Sequence, residues 1–378
     1  MRTASKRTRR RPRAALDCVK PAVRALEAYT LIVQTAAVKL NQNENPYEVP
    51  EALKRRIVER ALARPWGRYP AFDPRELREA LARFSGWRAD GILAGNGSNE
   101  LIEALLRVTI GPRTVVVIPE PTFTLYAHLA AILGGKTVRV PLRPGFDYDA
   151  DALAEAQRRT GAAMTIVCSP NNPTGTVLAP PEIERLCRAG DGLVVVDEAY
   201  HEFAGATAVP LLERCPNLVV LRTFSKAMAL AGLRIGYLLA APELVREVNK
   251  ARLPHNLNVF SETAAMEAMR EASALAEAVA RIVAARDRLI ARLKDMPGIR
   301  AWPSRANFFL LELLASDPRA VFASLHRRGV LVRDITAQPM LSRCLRVSVG
   351  TEEENEAFLH ALGSALVEAG ILLRQGRA

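Results

Sequence analysis

The run over residues 221–237, LRTFSKAMALAGLRIGY, sets Ser225, Lys226 and Arg234, three side chains able to meet an anion, inside an otherwise apolar stretch. Residues 218–221 read as a short buried strand, and residues 233–240 begin another apolar segment. Lys226 therefore falls in a connection between core elements, where an ammonium is costly unless something answers it. Desolvation and the nearby Arg234 would lower its pKa and leave some free amine, the form that condenses with a carbonyl. A lysine stem can equally pack while its head reaches water. The chemistry of Lys226 therefore depends on the groups that the rest of the chain brings to it.

Those groups follow other strand-like runs. MTIVC (164–168) leads into Ser169-Pro170-Asn171-Asn172-Pro173-Thr174-Gly175, LVVV (193–196) into Asp197-Glu198-Ala199-Tyr200, and TVVVI (114–118) into Pro121-Thr122-Phe123. Gly95-Asn96-Gly97-Ser98-Asn99-Glu100 opens a helix over 101–108, with Ser98 as candidate cap and free N–H groups that suit an anion. A pyridoxal phosphate cofactor carried by Lys226 would use all of them, because the cofactor supplies the electron sink and the protein supplies position and electrostatics. Asp197 would keep the pyridine nitrogen protonated. The Asn172 amide and the Tyr200 phenol would donate to the ring hydroxyl. The Ser98 and Asn99 amides, Ser225 and Arg234 would hold the phosphate, and Phe123 would stack on the ring. Each has a plainer reading as a turn cap, a turn or a core aromatic; their joint occurrence just past successive strands favours the site.

The elements that must position these residues are strands over 114–118, 137–140, 164–168, 193–196, 218–221 and 235–240, with helices over about 124–133, 150–159 and 180–189. Continuous rather than alternating apolar strands mark a sheet covered on both faces. The fold class is α/β: a mostly parallel central sheet with helices on both faces, whose ligands lie at the carboxyl ends of the strands. Further helices are expected over about 50–64 and 73–84, and one long helical pattern runs from Glu262 to about Asp295. Beyond it a smaller α+β domain has strands near 307–313 and 345–349 and helices near 318–328 and 353–368. The expected division is a basic tail (1–15), an N-terminal arm and substrate loop (16–48), a large cofactor domain (49–262), and a bridging helix with a small C-terminal domain (263–378). In the arm, Val23, Leu26 and Leu31 are possible anchors. Lys39-Leu40-Asn41-Gln42-Asn43-Glu44-Asn45-Pro46-Tyr47 reads as an ordered loop, and Arg68-Tyr69-Pro70 as a turn.

A chain of 378 residues, 49% hydrophobic and 24% charged, suits a soluble two-domain protein with a sizeable core. No apolar run reaches the ~18 residues needed to cross a bilayer, so no membrane role is expected. The five scattered cysteines form no CxxC pair, which fits a reducing cytoplasm and gives a metal site no support. Of the net charge of +12, seven charges come from Arg2, Lys6, Arg7, Arg9, Arg10, Arg11 and Arg13, leaving +5 for the body. Such a run reads as a disordered extension rather than a nucleic-acid site or a transit peptide.

SPNNPTG, VVVDEAY and TFSKAMALAGLRIGY resemble the signature stretches of the fold-type I pyridoxal-phosphate aminotransferases. Together with KLNQNENPY, GRYP, GNGSNELIE and the C-terminal GVLVRD, PML and CLRVSVGT, they resemble the histidinol-phosphate aminotransferase family from about Val23 to Leu366. The resemblance implies that Lys226 is the Schiff-base lysine, assisted by Asp197 and Tyr200. It repeats the cofactor roles of Ser98, Asn99, Phe123, Asn172, Ser225 and Arg234. It further implies a homodimer in which Tyr69 reaches the neighbouring cofactor phosphate. Arg346 would grip the substrate's anionic end, Arg333 would assist with the phosphate of histidinol phosphate, and Tyr29, Asn43 and Asn172 would line the substrate site. The implied reaction exchanges the amino group of histidinol phosphate with 2-oxoglutarate, in histidine biosynthesis. An aminotransferase for aromatic or other amino acids and a phosphothreonine decarboxylase of the same fold remain open. A transcription regulator would need a DNA-binding module far longer than the tail. Two positions depart from the family pattern: Phe123 stands where Tyr is frequent, and Met340 where Gly is common.

Overall fold

The computed structural model describes residues 15–28 and 34–371, so residues 1–14 of the basic tail, Tyr29 and Leu31 lie outside the described residues. In chain order the strands are β1 (Val38–Lys39), β2 (Ile92–Gly95), β3 (Val115–Glu120), β4 (Lys136–Pro141), β5 (Met164–Cys168), β6 (Leu193–Asp197) and β7 (Leu218–Thr223). They continue with β8 (Gly236–Ala240), β9 (Ile299–Ala301), β10 (Phe308–Leu313), β11 (Val330–Leu331), β12 (Arg333–Asp334) and β13 (Cys344–Ser348).

Seven strands form the main sheet in the order β2-β8-β7-β6-β5-β3-β4. β4, β3, β5, β6 and β7 run parallel, while β8 is antiparallel to both β7 and β2. β5 and β7 are buried at every position, as their unbroken apolar sequences require of a sheet covered on both sides. The helices Leu125–Leu133, Ala150–Thr160 and Pro180–Cys187 fall where the periodicity places them. The C-terminal region carries the antiparallel order β12-β13-β10-β9, covered by the helices Pro318–Arg327 and Glu352–Glu368. The N-terminal arm joins it: β1 pairs parallel with β11, Val38 opposite Val330.

Three local expectations change. β2 is an additional strand, too short at four residues to show a period, and it closes the sheet beyond β8. The long helical pattern divides into Val259–Arg270 and Ala272–Lys294, because Glu271 leaves helical geometry (φ −101°, ψ 20°) and pairs with Arg56. Ser98 is the first helical residue rather than the cap, which is Gly97 at φ +78°. In the arm, a 3-10 turn over Ala15–Cys18 and a single helical turn over Pro21–Arg24 precede residue 28, with Val23 and Leu26 partly buried. Among the described residues no helix is long and apolar enough to cross a membrane.

Candidate active site

The parallel strands end together, and the residues just past them line one cavity of about 460 Å3. Asn172 follows β5, Asp197 closes β6, Tyr200 lies three residues on, and Ser225 and Lys226 follow β7; all border the cavity. Phe123 enters it from the connection after β3, and Ser98 and Asn99 from the helix Ser98–Thr109.

Lys226 Nζ donates to the backbone carbonyl of Gln42 at 2.9 Å and stands 5.7 Å from the centroid of the Tyr200 ring. Burial holds its ammonium down to about 8. The Arg346 guanidinium contributes to that lowering, more than Arg234 does, while Glu44 and Asp197 favour the charged form. The amine is thus partly free near neutral pH, and Arg346 replaces Arg234 as its main cationic neighbour. Asp197 shows the opposite effect: burial pushes its carboxyl up to about 6. Two hydrogen bonds resist that rise, from Tyr126 Oη at 2.6 Å and from the Ala199 N–H at 3.1 Å. Burial also raises the Tyr200 phenol, whose oxygen accepts from Asn43 Nδ2 at 3.1 Å.

A cradle for a tetrahedral anion lies at one end of the cavity. The first N–H groups of the helix Ser98–Thr109 have no intrahelical acceptor, and Arg234 stands beside them in a left-handed conformation at φ +49°. A Cβ on Gly97 would lie 2.6 Å from Arg234 Nη2, and one on Gly236 would lie 2.5 Å from the Ser98 nitrogen, so both glycines let the backbone close in. Ser225 Oγ accepts from Thr223 Oγ1 at 3.0 Å and from Arg234 Nη1 at 3.1 Å. Its own proton is then left to donate to a ligand.

The C-terminal sheet supplies the other end. Arg346 donates to Asn172 Oδ1 at 2.6 Å and to the Asn41 carbonyl at 2.7 Å. Arg333 is its direct partner in the β12–β13 register and also lines the cavity. Among the described residues, the Arg333 guanidinium makes no ion pair or hydrogen bond, so the surface salt bridge that would explain it structurally is absent. Asn43, at φ +54°, ties the main sheet and the C-terminal sheet to the arm: besides Tyr200, its N–H reaches Ser348 Oγ at 2.9 Å, and its carbonyl accepts from Asn307 Nδ2 at 3.0 Å.

Tyr69, expected at a neighbouring subunit's site, does not line this cavity. Tyr69 is 84% exposed and stacks on His255 with ring centroids 4.8 Å apart; Tyr29 lies outside the described residues. Two participants were not anticipated. Gln42 contributes a backbone carbonyl, which no side-chain pattern reveals, and Tyr126 reads in sequence as one more apolar position of its helix.

The family model of the class I and II aminotransferases matches residues 35–362. Histidinol-phosphate aminotransferases of Chlorobium phaeovibrioides and Chlorobaculum tepidum are each 40% identical over 346 residues, 91% of this chain and 96% and 99% of theirs. The chain belongs to the histidinol-phosphate aminotransferase family. A solved member of this family, from Sinorhizobium meliloti in complex with pyridoxal-5'-phosphate, superposes with a TM-score of 0.85 at 25% identity, covering 94% of this chain and 99% of that one. The resemblance carried by the lysine, aspartate and asparagine stretches therefore extends to the whole histidinol-phosphate aminotransferase fold.

Proposed function

We propose that this chain is a pyridoxal-phosphate enzyme that exchanges the amino group of L-histidinol phosphate with 2-oxoglutarate, giving imidazole-acetol phosphate and L-glutamate. The observation that carries this reading is the pair Arg333 and Arg346, held side by side in the cavity of Lys226 with the Arg333 guanidinium unpartnered. One guanidinium suffices for a carboxylate; two suit a phosphate dianion. The 40% identity to histidinol-phosphate aminotransferases supports the same substrate.

The donor set fits the cofactor. Ser98, Asn99, Ser225 and Arg234 would take its phosphate, Asn172 and Tyr200 its ring hydroxyl, Phe123 its ring face, and Asp197 its ring nitrogen. When bound, pyridoxal phosphate supplies an aldehyde that takes up the amino group and a ring that draws electrons from the substrate's Cα. Asp197, at the end of β6, holds a proton on the ring nitrogen. Lys226 Nζ, its charge suppressed by burial and Arg346, would carry the proton between the substrate Cα and the cofactor's aldehyde carbon. Tyr200 orients the ring through its phenol. Arg346 and Arg333 fix the phosphate of histidinol phosphate; with glutamate, Arg346 grips the α-carboxylate. One pocket serves both substrates in turn, so the first product leaves before the second substrate enters. Asn43 lines the substrate side.

The working unit is a homodimer. Tyr69 and the exposed Trp66, Phe72 and Leu253 form an apolar surface that a second copy would cover, bringing Tyr69 to the neighbouring phosphate cradle. The cytoplasm is the compartment we assign. Half-reaction kinetics with histidinol phosphate, phenylalanine and glutamate test the reading. Rapid amino transfer from histidinol phosphate and glutamate, with phenylalanine slow, is expected. Phenylalanine as the only good donor would assign an aromatic aminotransferase instead, and CO2 release from phosphothreonine a decarboxylase.

A further inference from the structure

We propose that Tyr126 is the positioning residue of the cofactor ring, its phenol fixing the Asp197 carboxylate while its ring braces Phe123. This rests on the reading above, in which Asp197 meets the ring nitrogen and Phe123 the ring face. Tyr126 lies in the first turn of the helix Leu125–Leu133 and is 0% exposed. A phenol so deep needs an acceptor, since an unpaired buried hydroxyl is costly. It has one: Oη donates to Asp197 Oδ2 at 2.6 Å, the short separation of a bond to a charged acceptor. The Ala199 N–H occupies Oδ1 at 3.1 Å. Each carboxylate oxygen thus carries one donor, which fixes its plane and leaves a lone pair for the ring N–H. The same Tyr126 ring meets Phe123 edge-on, centroids 5.4 Å apart at 87°. One buried side chain thereby sets the spacing between the acid and the stacking ring.

The other groups around Asp197 cannot replace it. Cys168 is its β5 register partner, but Sγ is engaged with the Pro170 carbonyl at 3.2 Å, and burial keeps the thiol neutral. The Tyr148 hydroxyl donates to the Cys168 carbonyl. Glu198 turns away to Arg222, Thr207 and Ala208. Lys226 is engaged with Gln42. Tyr126 is therefore the side-chain donor that opposes the upward push of burial on Asp197.

Tyr126→Phe keeps the contact with Phe123 and removes only the O–H. The Asp197 carboxyl, followed by carbon-13 NMR in the cofactor-free protein, should titrate at higher pH in this variant than in wild type. In the holoenzyme, kcat should fall roughly 10-fold or more while KM for glutamate changes little, as for one lost hydrogen bond to a charged group. Cofactor affinity should weaken in Tyr126→Phe but not change further when Tyr126→Phe is added to Asp197→Asn. An unmoved Asp197 midpoint, or the same additional loss on the Asp197→Asn background, would overturn the proposal. A measurement on the unaltered protein guards against a variant that fails to fold: the Tyr126 Cζ resonance should move with the Asp197 midpoint, and its silence while Asp197 titrates would overturn the contact. Failure of wild type to bind pyridoxal phosphate would refute the functional reading instead, because the cofactor-free titrations stand apart from it.

Discussion

Arg333 and Arg346 face each other as register partners across the antiparallel strands β12 and β13. Like charges directly opposite on a sheet destabilise it by roughly 0.2–1 kcal/mol, and nothing among the described residues neutralises Arg333. A surface built this way is completed by an anion. Arg333→Ala should therefore lower kcat/KM for histidinol phosphate by roughly 10- to 100-fold, the range for losing hydrogen bonds to a charged group, with a much smaller loss for glutamate. Equal losses in the two half-reactions would remove the case for a phosphate-bearing substrate. In the ligand-free protein, added inorganic phosphate should raise the Tm of wild type more than that of Arg333→Ala.

Lys226→Ala should abolish transamination and the visible absorbance of the lysine-linked cofactor, about 410–430 nm for such linkages. Turnover at the wild-type rate would show that another amine carries the chemistry.

The Asp197 carboxylate is costly without its cofactor, because burial raises its pKa to about 6. Below the unfolded-state pKa of about 4 the acid is protonated in both states and contributes nothing. As pH rises past about 6 the folded protein must ionise a group that the unfolded chain has already ionised, so stability is lost between these values. Asp197→Asn should thus stabilise the cofactor-free protein by about 1–3 kcal/mol at neutral pH, with the advantage vanishing below about pH 4. Chemical denaturation at several pH values reads this directly; a constant difference would contradict the buried-acid assignment. The same variant should cripple the holoenzyme.

Met340 sits at φ +65° with 47% of its surface exposed, in the loop joining the two arginine strands. This explains why glycine is common there: a side chain in the left-handed region costs roughly 1–2 kcal/mol. Met340→Gly should raise stability by about 0.5–1 kcal/mol once the greater freedom of glycine in the unfolded chain is deducted, as a shift in the denaturation midpoint. A loss of stability would mean that the methionine packs in solution.

If Tyr69 serves the neighbouring site, mixed dimers of Tyr69→Ala and Lys226→Ala subunits contain one intact site each. Co-expression at equal levels should restore about a quarter of wild-type activity from two weak parents, by random pairing in a two-fold dimer. No recovery would place Tyr69 in its own subunit's site or outside catalysis.

The chemistry-bearing residues were legible because a parallel sheet announces its binding edge. Asn172, Asp197, Ser225 and Lys226 are polar residues that directly follow strands buried on both faces, and the fold brings those strand ends together. Tyr126 escaped because a tyrosine within LYAHLAAIL has the pattern of core, and its acceptor is 71 residues away. The Arg333–Arg346 opposition could not be read either, since β12 has two residues and its register exists only once β13 is beside it. The break at Glu271 lies inside an uninterrupted helical period, and its partner Arg56 is 215 residues away in sequence.

The resting acceptor of the Lys226 amine is the main-chain oxygen of Gln42, while the Gln42 side chain turns to Lys39 at 3.0 Å. Seating the nucleophile and holding Lys39 are thus assigned to different atoms of one residue. Because the lysine is moored by main chain alone, the side chain at position 42 is free to vary without unmooring it.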